Sequence, residues 1–202
     1  VVTSCRQIEP LVEQELSQGP EFTAEIESFD PETKTALDGN SVVWSAADQI
    51  AVFQGTAKVD KYQVDEDCIG TKEGIFAIVA KGETSSAENF NANIAIYPYQ
   101  DGLTVTPTSA TEYKITGLTI PSTQTYTANT FANGSFLMAA ITDGLTDHTL
   151  SFRNLCGALK LQLKGTAKIK SIELKGNDGE PLSGDATVKV YPDGSASKIT
   201  MS

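Results

Sequence analysis

Histidine occurs once in 202 residues, tryptophan once and cysteine three times. Each scarcity removes a class of function. His148 alone cannot build a histidine-rich metal site, and Cys5, Cys68 and Cys156 contain no Cys-x-x-Cys pair, so a zinc knuckle is excluded. A hydrolytic triad needs a base beside its nucleophile. His148, in Asp147-His148-Thr149, reads instead as a hairpin residue between Asp143-Gly144 and the strand Leu150–Leu155. There is no G-x-S-x-G elbow, no Walker A loop and no G-x-G-x-x-G turn. Asp65-Glu66-Asp67-Cys68-Ile69-Gly70 has oxygen ligands at two positions of a calcium loop and its glycine at the sixth. Ile69 and Phe76 stand where two further oxygen ligands belong, so it reads as an acidic surface turn. The expectation is a protein that is not an enzyme and carries no cofactor or metal.

No apolar run approaches the ~18 residues of a transmembrane helix. Basic residues are also few: 15 against 26 acidic, for a net charge of −11. Such a surface repels phosphate backbones, so nucleic acid is not an expected partner. The densest basic cluster, Lys160, Lys164, Lys168 and Lys170, is interleaved with leucine and isoleucine and reads as the solvated side of strands.

What is present is period-two patterning. Phe22, Ala24 and Ile26 alternate with Thr23, Glu25 and Glu27, the mark of a half-buried strand. Further strand runs are Val42–Trp44, Ile50–Phe53, Ile75–Val79, Ile94–Tyr97 and Phe136–Ile141. Leu159, Leu161 and Leu163 alternate with Lys160, Gln162 and Lys164, which predicts one buried and one wet face. The period slips by one before Ile172, which predicts a bulge near Ser171, and resumes at Ala186, Val188 and Val190. Asp38-Gly39, Asn133-Gly134, Asp143-Gly144, Asp178-Gly179 and Asp193-Gly194 supply tight turns. Residues 85–93 and 104–125 are rich in serine and threonine and read as long loops and edge strands. Short strands with frequent turns predict an all-β sandwich or barrel. Trp44 reads as core, and Cys156 as buried in an apolar run. Whether Cys68 and Cys156 pair is left open.

The start, Val2-Thr3-Ser4-Cys5, fits a bacterial lipobox, with small residues before a cysteine that takes diacylglycerol. Cys5 is therefore the expected lipid attachment site, and the membrane an expected partner through that lipid. Residues 1–20 read as a signal remnant and tether, and residues 21–150 as a β-sandwich. Residues 151–202 are its last strands or the start of a second β domain, and the sequence ends as though a strand were cut.

The order of several motifs resembles a known family. Phe22-Thr23-Ala24-Glu25-Ile26 precedes Lys34-Thr35-Ala36-Leu37, then Val43-Trp44-Ser45, Asp48, Ile50, Val52 and Phe53. Ala95-Ile96-Tyr97-Pro98-Tyr99, Ile120-Pro121-Ser122-Thr123-Gln124, Leu150–Gly157, Lys168–Ile172 and Glu180–Gly184 follow. This series resembles the fimbrillin-like proteins of Bacteroides and relatives, which include the major and minor fimbrial subunits. The resemblance implies an antiparallel Greek-key β-sandwich of fimbrillin type, possibly with the start of a second one. It implies an outer-membrane lipoprotein at the cell surface, a fimbrial component whose partners are other fimbrial subunits joined by donor-strand addition. It further implies proteolytic processing after a basic residue, for which Lys34 is the candidate. A monomeric surface lipoprotein binding a host or glycan ligand is the alternative, which exposed aromatics such as Tyr97, Tyr99 or Tyr126 would favour.

Overall fold

The computed structural model describes residues 19–27, 42–82, 89–126, 131–132, 134–157, 159, 161 and 163–202. Among them lie eleven strands, one 3₁₀ turn at Glu66–Cys68 and no α-helix. The strands are β1 (Phe22–Ile26), β2 (Gln49–Gln54), β3 (Val59–Val64), β4 (Glu73–Ala80), β5 (Asn93–Tyr97) and β6 (Thr104–Ser109). They continue as β7 (Glu112–Ile120), β8 (Met138–Ile141), β9 (Thr149–Asn154), β10 (Gly184–Val190) and β11 (Lys198–Met201).

The chain is therefore all-β, as expected. One sheet closes on itself as a seven-stranded barrel in the order β1-β4-β3-β2-β5-β8-β9, which a sandwich of two open sheets does not require. The second sheet has the order β11-β10-β7-β6.

The apolar patterns decide which strand goes where. Strands β1 and β9 bury alternate residues, because one face looks into the barrel and the other into water. Strands β2, β5 and β8 have no such alternation; nearly every residue is buried. Their two faces serve two cores. Ile50, Val52, Ala95, Met138 and Ala140 fill the barrel with Phe22, Ala24, Ile26, Trp44 and Phe76. Ala51, Phe53, Ile94, Ile96 and Ala139 face the other way, onto Tyr113, Ile115, Leu118, Val188 and Val190 of the four-stranded sheet. A run that is apolar on both faces is thus the central layer of the molecule.

Glycine is required at one bend of that sheet. Ile115 and Leu118 both point inward although they are three residues apart, because Thr116 and Gly117 together oppose Thr187 in a bulge. Gly117 adopts φ +85°, and a Cβ there would lie 2.3 Å from the Gly102 carbonyl oxygen.

The structure departs from the sequence reading in three places. Leu159, Leu161 and Leu163 lie in no strand and are exposed, as are Ile169, Ile172 and Leu174, so there is also no ladder to bulge at Ser171. Alternation fits a two-faced strand, but a strand forms only where a neighbour pairs its backbone. Residues 104–125 are not mainly loop: β6 is an edge strand, but β7 is internal, between β6 and β10. Val42–Trp44 runs extended against 70–72 without joining a strand, with Trp44 N–H bonded to Thr71 O at 2.9 Å. The question the sequence leaves open is also answered: Cys68 and Cys156 are both free, and one packs against the barrel core and the other against the second core.

Candidate functional site

The distinctive element is the strand that closes the barrel. β1 is the first of the described strands yet is inserted between β4 and β9, partners that begin some fifty and well over a hundred residues later. It runs antiparallel to β4, with Ala24 opposite Gly74, and parallel to β9, with Ala24 opposite Leu150. The β1–β9 pair is the parallel contact in an otherwise antiparallel barrel. Thr23 N–H donates to His148 O and Glu27 N–H to Phe152 O, both at 2.9 Å, while Ile26 N–H donates to Lys72 O at 3.2 Å. His148 acts here through its main chain, and its ring meets Phe22 edge-on at 5.2 Å.

The three inward side chains of β1, Phe22, Ala24 and Ile26, are essentially inaccessible to solvent. Phe22 also meets Tyr62 edge-on at 5.2 Å. Ala24 faces Gly74 because Trp44 lies over that spot: a Cβ on Gly74 would come within 2.9 Å of the indole. Taking β1 away would leave β4 and β9 with unpaired edges and a slot through the barrel wall into its core. Such a slot accepts another strand whose alternate residues are apolar.

At one end of the barrel lies a cleft of about 360 Å³, lined by Ile26 of β1, Val42–Asp48, Tyr97, Phe131, Phe136 and Met138 among others. Phe131 stacks on Phe136 with ring centres 4.3 Å apart. The polar floor is the pair Asp48 and Tyr97. Asp48 accepts from the Tyr97 hydroxyl at 3.1 Å and from Ser45 N–H at 2.8 Å, which shapes the turn leading into β2. Burial raises the Asp48 pKa, and the two hydrogen bonds only partly oppose it. Burial also holds the Tyr97 hydroxyl far above the usual tyrosine range, reinforced by the neighbouring carboxylate.

The sign of the Asp48 shift gives a testable pH dependence. A carboxyl with a raised folded pKa holds its proton more tightly in the folded state. Its contribution to stability is therefore greatest at pH below the unfolded value, about 4, and is lost as pH rises through the folded value. Asp48→Asn keeps an acceptor for Ser45 N–H and removes the titration. We expect the stability of wild type minus that of the variant to fall as pH is raised from about 4 towards neutrality. Thermal melts over a pH series check this, and a flat or rising difference would contradict it.

Of the sequence-predicted sites, Cys5 and Lys34 lie outside the described residues; Lys34 falls in the segment joining β1 to Val42. Asp65, taken for a surface turn, accepts from Asp67 N–H at 2.9 Å and begins the 3₁₀ turn. Tyr97 is engaged with Asp48, and Tyr99 donates to Asp101 at 3.0 Å beneath the Lys61 ammonium. Tyr126 stands free at 88% exposure. Sequence reasoning missed the Asp48–Tyr97 floor, whose one local signal is the Ser-x-x-Asp turn. It also missed β1 as the closing strand, which has no local signal.

A second surface is the arm between β9 and β10. Leu159, Leu161, Leu163, Ile169, Ile172 and Leu174 are each 51–63% exposed. That is an unusual density of large apolar residues in water for one segment.

Comparison with protein-family models, with curated proteins and with solved structures returned no match to this chain.

Proposed function

We propose that this chain is a structural or adhesive component of bacterial cell-surface fimbriae, built by strand exchange at the place β1 occupies, and not an enzyme. The observation that carries the reading is β1: a short strand, fully buried on one face and held by two neighbours remote in sequence. A cut at Lys34 would fall between β1 and β2 and would leave β1 held by noncovalent contacts alone. A strand donated by another subunit could then replace it, satisfying the β4 and β9 edges and refilling the barrel with alternate apolar side chains. A joint made that way is kinetically durable, because undoing it exposes a core.

The fold is compatible with the fimbrillin-type sandwich. β2, β5 and β8 form a layer stacked on β6, β7 and β10 around a shared core. The exposed leucines of the 159–174 arm suit the beginning of a second β-sandwich that would cover them. In this proposal Cys5 carries the lipid, the protein is displayed on the outer membrane, and its partners are other fimbrial subunits.

The test uses the native gene product. Outer-membrane fractions, unboiled and boiled, are run on denaturing gels and probed with an antibody to this domain. We expect a ladder of high-mass species that collapses on boiling. A single monomer band in both lanes would overturn the strand-exchange reading and leave a monomeric surface lipoprotein with a glycan or host ligand.

A further inference from the structure

The outward face of the four-stranded sheet is organised in rows across the strands. Register places Lys114 opposite Lys189 and Lys189 opposite Lys198, so three lysines stand side by side on β7, β10 and β11. One step along the strands, Thr104 pairs with Thr116 and Thr187 with Thr200, a parallel row of hydroxyls. The Thr104 and Thr116 oxygens are 2.7 Å apart. Strand alternation puts both rows on the outer face, and the bulge at Gly117, just beyond them on β7, returns Leu118 to the inner face beside Ile115.

Like charges directly opposite on neighbouring strands are unfavourable. The acidic groups on this face compensate the middle lysine and leave the outer two. Glu112 pairs with Lys189 at 2.9 Å, and Asp185, further along β10, accepts from the Thr119 hydroxyl at 3.1 Å. Lys114 and Lys198 are exposed and have no ionic partner among the described residues. A chain with net charge −11 and 15 basic residues has thus set three of them in one row. Two of the three, Lys114 and Lys198, stay uncompensated, and a local rule broken without full compensation is where function is to be sought.

We infer that this face binds a linear acidic polysaccharide, its carboxylate or sulfate groups over Lys114 and Lys198 at the two ends of the lysine row and its hydroxyls along the threonine row. Neighbouring strands are about 4.8 Å apart, so the row spans roughly 10 Å, and the hydroxyl row lies about 7 Å away. Those spacings suit a polymer with an anionic group every one or two sugars. The chemistry also separates this partner from other anions. The rows contain no arginine to fork a phosphate, no aromatic to stack a base and no apolar side chain to enter a bilayer. The inference concerns the sheet that does not contain β1 and does not depend on strand exchange.

The experiment measures binding of the full chain to immobilised heparin oligosaccharide at pH 7 and low salt, with neutral dextran and phosphatidylglycerol vesicles in parallel. We expect binding to heparin that weakens with added salt, and none to dextran or vesicles. Lys114→Gln with Lys198→Gln should weaken it roughly tenfold, the sum expected of two exposed charge contacts. Lys114→Arg with Lys198→Arg should retain it, and Lys164→Gln with Lys168→Gln and Lys170→Gln in the arm should leave it unchanged. Absence of wild-type binding, equal binding by the glutamine variant, equal binding to dextran, or lysine-dependent capture by vesicles would each overturn the inference.

Discussion

Trp44→Ala is expected to lower the stability of the fold by about 3–5 kcal/mol, the range for emptying a buried tryptophan site. The indole is 1% exposed. It meets Phe76, Tyr97 and Phe152 edge-on, with ring centres 4.9, 5.6 and 5.8 Å away. Its Nε1–H donates to Lys72 O at 3.0 Å, fastening the stretch before β2 onto the stretch before β4. Gly74 leaves no side chain beneath it, and Ala24 across the ladder adds little, so neither can expand into the space. The loss would therefore remain largely as a cavity, the costly outcome. Urea unfolding followed by circular dichroism measures it. Trp44→Phe, which keeps an aromatic ring but loses the donor, should fall between the two. A loss below about 1 kcal/mol for the alanine variant would mean that the site collapses or that Trp44 is not a keystone of the barrel.

Much of the fold was legible because alternation is a local property. β1, β9 and β10 follow directly from Phe22/Ala24/Ile26, Leu150/Phe152 and Ala186/Val188/Val190, each with one dry face. The continuous apolar runs Ile50–Phe53 and Ile94–Tyr97 were read as strands, but their meaning was not visible. Being buried on both sides reports a layer between two cores, and the second layer is made by residues far along the chain. Closure of the barrel is likewise non-local. Nothing in Phe22–Ile26 tells it from any other half-buried strand, and its partner β9 is chosen by tertiary packing. β7 was obscured for a different reason: threonine and lysine on its outer face and a glycine bulge break the count of apolar residues. The arm shows the converse. Leu159, Leu161 and Leu163 carry the clearest alternation in the chain, and yet among the described residues no strand pairs with them. Of the candidate sites, Cys5 and Lys34 come from pattern and resemblance and fall outside the described residues, whereas the slot beneath β1 emerges only from the topology.

Ala24→Asp should release β1 while leaving the four-stranded sheet intact. Ala24 is fully buried inside the barrel between Gly74 and Leu150, with Phe22 and Ile26 on either side of it along the strand. An ionised carboxylate there meets no buried cation among the described residues, and burying it costs several kcal/mol. Against that, the Phe22 and Ile26 side chains hold β1 by roughly 3–6 kcal/mol at about 1.5–3 kcal/mol each. The two quantities are comparable, so the cheapest escape for the charge is withdrawal of one five-residue strand and not loss of the whole fold. Amide hydrogen exchange reads this directly. Protection should fall in β1 and along the facing edges of β4 and β9, and should persist in β7 and β10, which belong to the other sheet. Exposing those edges should also make the variant associate in a concentration-dependent manner, since an unpaired edge with an apolar slot behind it is a template for another strand. Loss of protection spread evenly over both sheets would show that β1 is not a separable unit, and strand exchange at that position would lose its physical basis.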